Sequence, residues 1–152
     1  MNRQRRRLLK VAAGTGALAA AGLLASGGAR AATWNKSGFE SKAASDAIRN
    51  LGAGGLIDSK DIAITAPDIA ENGAVVPVAV TSRIPNTQSI SIIAEKNPFP
   101  LAATFDVASG IEPYASVRIK IAQTSNVRAI VKADGKFYTS FKEVKVTVGG
   151  CG

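Results

Sequence analysis

The amino-acid sequence predicts a mainly β protein: an antiparallel, immunoglobulin-like β-sandwich with a short N-terminal helix and a flexible C-terminal Gly-Gly-Cys-Gly arm. Three observations carry this expectation. Short apolar/polar alternations recur from residue 61 to residue 148, separated by turn residues. One earlier stretch has helical spacing instead. The chain's single cysteine lies second to last, between glycines.

Residues 1–31 read as a cleaved export signal. Arg5-Arg6-Arg7-Leu8-Leu9-Lys10 precede a mild apolar stretch from Val11 to Ala25, and Ala29-Arg30-Ala31 supplies a small-residue cleavage site. The paired arginines resemble the twin-arginine type, whose cargo crosses already folded, although Arg7 and Leu8 depart from its usual pattern. An apolar stretch of about fifteen mixed residues falls short of the ~20 that a membrane span needs. The expectation is a periplasmic protein with no membrane association after cleavage. Residues 32–148 then form the domain and residues 149–152 the arm.

Removing the signal changes the charge argument. Six of the 19 Lys+Arg precede the cut (Arg3, Arg5, Arg6, Arg7, Lys10 and Arg30), leaving 13 against 11 Asp+Glu, a net charge of +2. The formal +8 of the whole chain is therefore largely a property of the targeting segment and implies no nucleic-acid partner. About 121 remaining residues suit one domain with one core.

The helix is expected over roughly Ser37 to Asn50. Phe39, Ala43, Ala47 and Leu51 recur every fourth position, Ala44 and Ile48 widen the stripe, and Gly52 with Gly54-Gly55 stops it. Five strands follow from alternation: Asp61–Thr65, Val75–Ser82, Ser89–Ile93, the run with Val117, Ile119 and Ile121, and the run with Val144, Val146 and Val148. Pro77 implies an edge or a bulge. Ala103–Val107 and Val127–Ala133 are weaker candidates. Asp134-Gly135 signals a tight hairpin that returns through Lys136 to Phe141.

The tail is the informative departure from this pattern. Cys151 has no second cysteine to pair with, and Gly149, Gly150 and Gly152 leave no side chain to pack it down. With the last strand ending at Val148, the thiol would reach on the order of 10 Å beyond the sheet. The chain has no histidine, so it holds no Cys-His catalytic pair, and one cysteine without histidine makes a zinc, haem or iron–sulfur centre implausible. No sequence neighbour is an evident base, and an unassisted thiol with pKa near 8.5 is only a few per cent thiolate at neutral pH. A carrier with no cofactor of its own fits better than an enzyme.

These residues carry a family resemblance. The Gly-Gly-Cys-Gly terminus, the run from Ala66 to Val78 (Ala-Pro-Asp-Ile-Ala-Glu-Asn-Gly-Ala-Val-Val-Pro-Val), the Asn97-Pro98 pair and the Val146-Thr147-Val148 lead-in resemble the SoxY family. SoxY proteins are sulfur-carrier subunits of the periplasmic thiosulfate-oxidising (Sox) system. The family terminus usually reads Gly-Gly-Cys-Gly-Gly, one glycine longer than here. The resemblance implies that Cys151 is the covalent attachment point for sulfur intermediates. It implies a heterodimer with a SoxZ-like β-sandwich subunit, and redox and hydrolytic chemistry supplied by partners. These are a c-type cytochrome sulfur transferase, a metal-dependent sulfate-releasing hydrolase and, where present, a molybdenum sulfur dehydrogenase.

Two blander expectations stand beside it. An exported chain with one thiol also suits an adaptor that dimerises through an intermolecular disulfide. Within the Ala66–Val80 run, Asp68, Glu71 and Asn72 are more simply explained by turn chemistry than by partner contact. Trp34, Tyr114, Tyr138 and the five phenylalanines read as core or subunit-interface residues.

Overall fold

The computed structural model describes residues 34–147, and there the alternating runs become two stacked sheets. Elements follow in the order α1 (Lys36–Phe39), α2 (Ala44–Asn50), β1 (Leu56–Asp58), β2 (Ile62–Thr65), β3 (Ile69–Ala70), β4 (Val76–Ser82), β5 (Thr87–Ala94), β6 (Leu101–Asp106), β7 (Tyr114–Ile119), β8 (Ser125–Ala133) and β9 (Lys136–Val146). The larger sheet runs β1-β9-β8-β5-β6, with β3 also pairing β9, and the smaller runs β2-β4-β7.

Period-two alternation sends one set of side chains from each sheet into the space between them. Val76, Val78 and Val80 of β4 meet Ile90 and Ile92 of β5 and Val127, Ala129 and Val131 of β8, all essentially buried. Pro77 sits on the central strand of the smaller sheet, not on an edge strand. Its missing N–H is tolerated because β2 ends at Thr65, opposite Ala79, so no β2 residue faces Pro77.

The expected single helix is two short ones set on the outer face of the larger sheet. The break lies at Ser41, whose hydroxyl donates to the Ser37 carbonyl (2.7 Å), the acceptor that a continuing helix would offer to the Ser41 N–H. Ala43 is extended (φ −120°, ψ 144°) before α2 begins. The α2 end matches the predicted stop: Gly52 N–H donates to Arg49 C=O and Ala53 N–H to Ile48 C=O, a Schellman closure. Ala47, Leu51 and Phe39 form a second small core with Ile93, Leu101, Ile130 and Phe137. The large sheet is thus covered on both faces here, which is why Ile93 and Ile130 interrupt an otherwise clean alternation.

Two further expectations are corrected. The run at 136–141 and the described part of the run beginning at Val144 are one strand, β9, paired with β8 from Ala133↔Lys136 to Ser125↔Val144. The sandwich is not wholly antiparallel, because β1 and β3 both add to β9 in parallel. The aromatics divide: Phe39, Phe105, Phe137 and Tyr138 pack inward, whereas Phe99, Tyr114 and Phe141 are more than half exposed. The Asp134-Gly135 hairpin forms as predicted, with φ of 49° and 72° at its two central residues. Both angles belong to a type I′ turn, and glycine suits the second position because it has no Cβ to clash.

Candidate functional site

The expected signal (residues 1–31) and the expected arm residues Gly149, Gly150, Cys151 and Gly152 lie outside the described residues. What the structure supplies is the platform from which the arm departs. β9 loses its last β8 partner at Val144, opposite Ser125, and continues two residues further. Those residues and the next are bonded on both edges. On the β8 side Val146 N–H donates to Thr124 Oγ1 (3.0 Å). On the other side Lys145 N–H donates to Asp68 C=O (2.9 Å) and Thr147 N–H to Ala70 C=O (3.2 Å).

A side chain reinforces the second edge. Lys142 Nζ donates to Ala66 C=O (2.6 Å) and lies 2.9 Å from Asp68 Oδ1. The hydrogen bond and charge of Lys142, helped by Lys145, hold the Asp68 carboxyl below its ordinary pKa of 3.8. Asp68 is well exposed, so solvent screens this pair and its energetic weight is small.

The turn after β3 approaches closely. Asn72 Oδ1 accepts from Ala74 N–H (2.9 Å), a local Asx closure, and Ile121 N–H donates to Gly73 C=O (2.7 Å). A Cβ at Gly73 would lie 2.5 Å from the Ile121 carbonyl oxygen and 2.9 Å from Val146 Cγ1. Only glycine lets this backbone sit against both. Asn97 ties in the neighbouring loop, donating from Nδ2 to Lys120 C=O (2.6 Å) and accepting at Oδ1 from Ala122 N–H (2.9 Å).

Segments far apart in the sequence therefore meet at one end of the sandwich. The Ala66–Val78 run, Asn97 and the Val146-Thr147 lead-in are joined there through residues 120–124. Asn72 closes its turn as turn chemistry suggested, whereas the Asp68 carboxylate lies exposed beside Lys142. Thr124 was not singled out from sequence, because a threonine in a connection carries no signal of the amide it will meet. Among the described residues, no group of three or more His, Cys, Asp or Glu could hold a metal ion. No helix among them is long and apolar enough to cross a membrane.

A family model described as sulfur oxidation protein SoxY matches residues 49–151, a span that includes Cys151. Among solved structures, the sulfur carrier protein SoxY from Chlorobium limicola f thiosulfatophilum is 42% identical, with a TM-score of 0.61, covering 68% of this chain and 96% of that one. A human F-spondin reeler domain (10% identity, TM-score 0.45, 62% of this chain and 96% of that one) is too distant to inform function. So is a structure of the bacterial superantigen toxic shock syndrome toxin-1 (12%, 0.40, 57% and 99%). No curated protein matches the chain.

Proposed function

The chain belongs to the SoxY family of sulfur oxidation proteins, and from that premise we propose that Cys151 is where its sulfur cargo is bound. A sulfur-carrier role in thiosulfate oxidation accords with the family and with its 42%-identical solved member. The observation that carries the assignment to Cys151 is that the family match runs through residue 151 in a chain with one cysteine.

The chemistry divides between carrier and partners. Joining the sulfane sulfur of thiosulfate to Cys151 Sγ makes an S–S bond and releases an electron pair and the thiol proton. In the family reading those electrons pass to a c-type cytochrome partner. Water then attacks the terminal sulfone at a metal-dependent hydrolase, sulfate departs, and a persulfide remains on Cys151. Where a molybdenum sulfur dehydrogenase exists, it would withdraw six electrons from the outer sulfur while three waters supply its oxygens, and a second hydrolysis would release sulfate and restore the thiol. In this reading the chain is not itself catalytic and needs no resident cofactor.

Partners follow the same logic. Membership of the family implies a Sox-system partner, and the finer reading is a heterodimer with a SoxZ-like β-sandwich subunit in the periplasm. Export through the twin-arginine signal would carry both subunits out folded. Gly149, Gly150 and Gly152 would serve as access residues, letting each partner's active site close around the sulfur.

The test is the intact mass of the protein from cells growing on thiosulfate, with and without reductant, mapped to the C-terminal peptide. The expected result is a sulfur or thiosulfonate addition on Cys151 that reduction removes. A bare thiol or a simple disulfide dimer under those conditions would overturn the carrier reading in favour of an adaptor.

A further inference from the structure

The geometry points to a fastening, built from residues 66–73 and Thr124, that fixes where the Cys151 arm leaves the sandwich. Thr124 and Gly73 are its positioning residues. Only its functional consequence rests on the carrier reading.

β3 is two residues long and buries little: Ile69 is 57% exposed and Ala70 offers one methyl group. Apolar burial therefore does not explain why the segment lies along β9. Its polar contacts do. The carbonyls of Ala66, Asp68 and Ala70 accept, in order, from Lys142 Nζ, Lys145 N–H and Thr147 N–H. All three acceptors serve the last six described residues of the chain. Across the strand, β8 has already ended, and the Thr124 hydroxyl takes the Val146 N–H that a ladder partner would have taken. Strand ends without partners fray; this one is bonded on both edges and packed against Gly73.

The fastening sets arm length. With Thr147 held, four residues from Val148 to Cys151 reach at most about 14 Å, at ~3.3–3.6 Å each. If β9 frayed back to its last ladder pair at Val144, seven residues would be free, with a reach of about 24 Å. The longer arm spreads the thiol through a larger volume and leaves more chain to order when a partner grips it. Presentation to a partner should then weaken by roughly 2- to 10-fold.

Because the chain has a single cysteine, a nitroxide on Cys151 reports the arm without further engineering. In the wild type, its paramagnetic broadening should be strongest at Val146, Thr147 and the amides of residues 66–75, 95–100 and 120–125 and fall away toward the Asp134-Gly135 hairpin, and in the unlabelled protein Val146 and Thr147 should be protected from hydrogen exchange. Thr124→Val should accelerate exchange at Val146 by roughly 10-fold or more, leave Val127 and Val131 unchanged, and spread the broadening footprint. Thr124→Ser, which keeps the hydroxyl, should restore both. Lys142→Met, which loosens the opposite edge, should accelerate Thr147.

Unprotected Val146 and Thr147 in the wild type, or an unchanged footprint in both loosened variants, would overturn the fastening. Neither readout needs a partner, so they decide it even if no sulfur adduct is ever found on Cys151. If the adduct is found, Thr124→Val should raise KM for delivery to a partner with little change in kcat. Alkylation of Cys151 by iodoacetamide should keep its wild-type rate. An unaltered KM beside a spread footprint would overturn the link between fastening and delivery.

Discussion

Strand β9 is closed in one way where it begins and in another where it ends. At the hairpin end, Asp134 and Gly135 take left-handed backbone angles and turn β8 into β9 within two residues; an Asn86 Nδ2 contact to Asp134 Oδ2 (3.2 Å) reaches the turn, and distant strands pair the flanking residues at Ala133 and from Phe137 onward. At the arm end nothing local holds the strand. Its contacts come from Thr124 and from a segment as far as 76 positions away. A turn encodes itself in adjacent residues, whereas the end of this strand is fixed by whatever the fold brings beside it.

The sharpest way to test that contrast is to remove what the arm end presents. Cys151→Ser should abolish sulfur carriage completely, because the oxygen cannot hold a persulfide, while thermal unfolding stays at the wild-type midpoint. Turnover of thiosulfate with this variant would strip the arm end of its functional distinction. Next in size is Gly73→Ala. Its Cβ would meet a backbone oxygen at 2.5 Å, which cannot swing aside as a side-chain tip does. Overpacking of this kind costs about 1–3 kcal/mol, and urea unfolding should show a loss toward the upper end. A neutral result would mean that the 72–74 turn shifts freely and that the approach to Val146 is incidental.

Legibility in the sequence follows the same division. The core positions of β4, Val76, Val78 and Val80, and the Asp134-Gly135 turn were readable because alternation and turn chemistry are local. β8, at the centre of the large sheet, read only weakly because Ile130 faces the helix layer while Ala129 and Val131 face the other sheet, so the period of two is blurred. β1 and β3 were missed for another reason. Each is two or three residues long and is a strand only because β9 offers it an edge. The helix break was missed because Ser41 lies outside the apolar stripe that was read, and its capture of the Ser37 carbonyl shows only in three dimensions. At the candidate site, Cys151 was singled out from composition and lies outside the described residues, while Thr124 carried no sequence signal.

A smaller effect is expected at the hairpin. Gly135→Ala places a Cβ on a residue with φ of 72°, where nothing lies within 4 Å of the added atom. The cost should therefore be conformational alone, about 1 kcal/mol. It should appear in the urea midpoint and leave exchange at Val146 and Thr147 untouched. Faster exchange at those two amides would show that the ends of β9 are coupled, and the contrast between them would dissolve.

The smallest effect is electrostatic and belongs to the arm end. Lys142 holds the Asp68 carboxyl below its ordinary 3.8, so the folded state favours the ionised form. A depressed carboxyl pKa contributes stability that is present above the unfolded value and is lost as pH falls through the folded one. Asp68→Asn should thus lower the urea midpoint slightly at pH 7, and the gap from wild type should close as pH drops below 3.8 and through the folded pKa. Because the carboxylate is exposed, added salt should also shrink the gap at pH 7. The Lys145 N–H bond goes to the Asp68 backbone carbonyl, which the substitution leaves in place, so β3 should stay paired throughout. A gap that persists in acid and in high salt would locate the role of Asp68 in the shape of the turn and not in its charge.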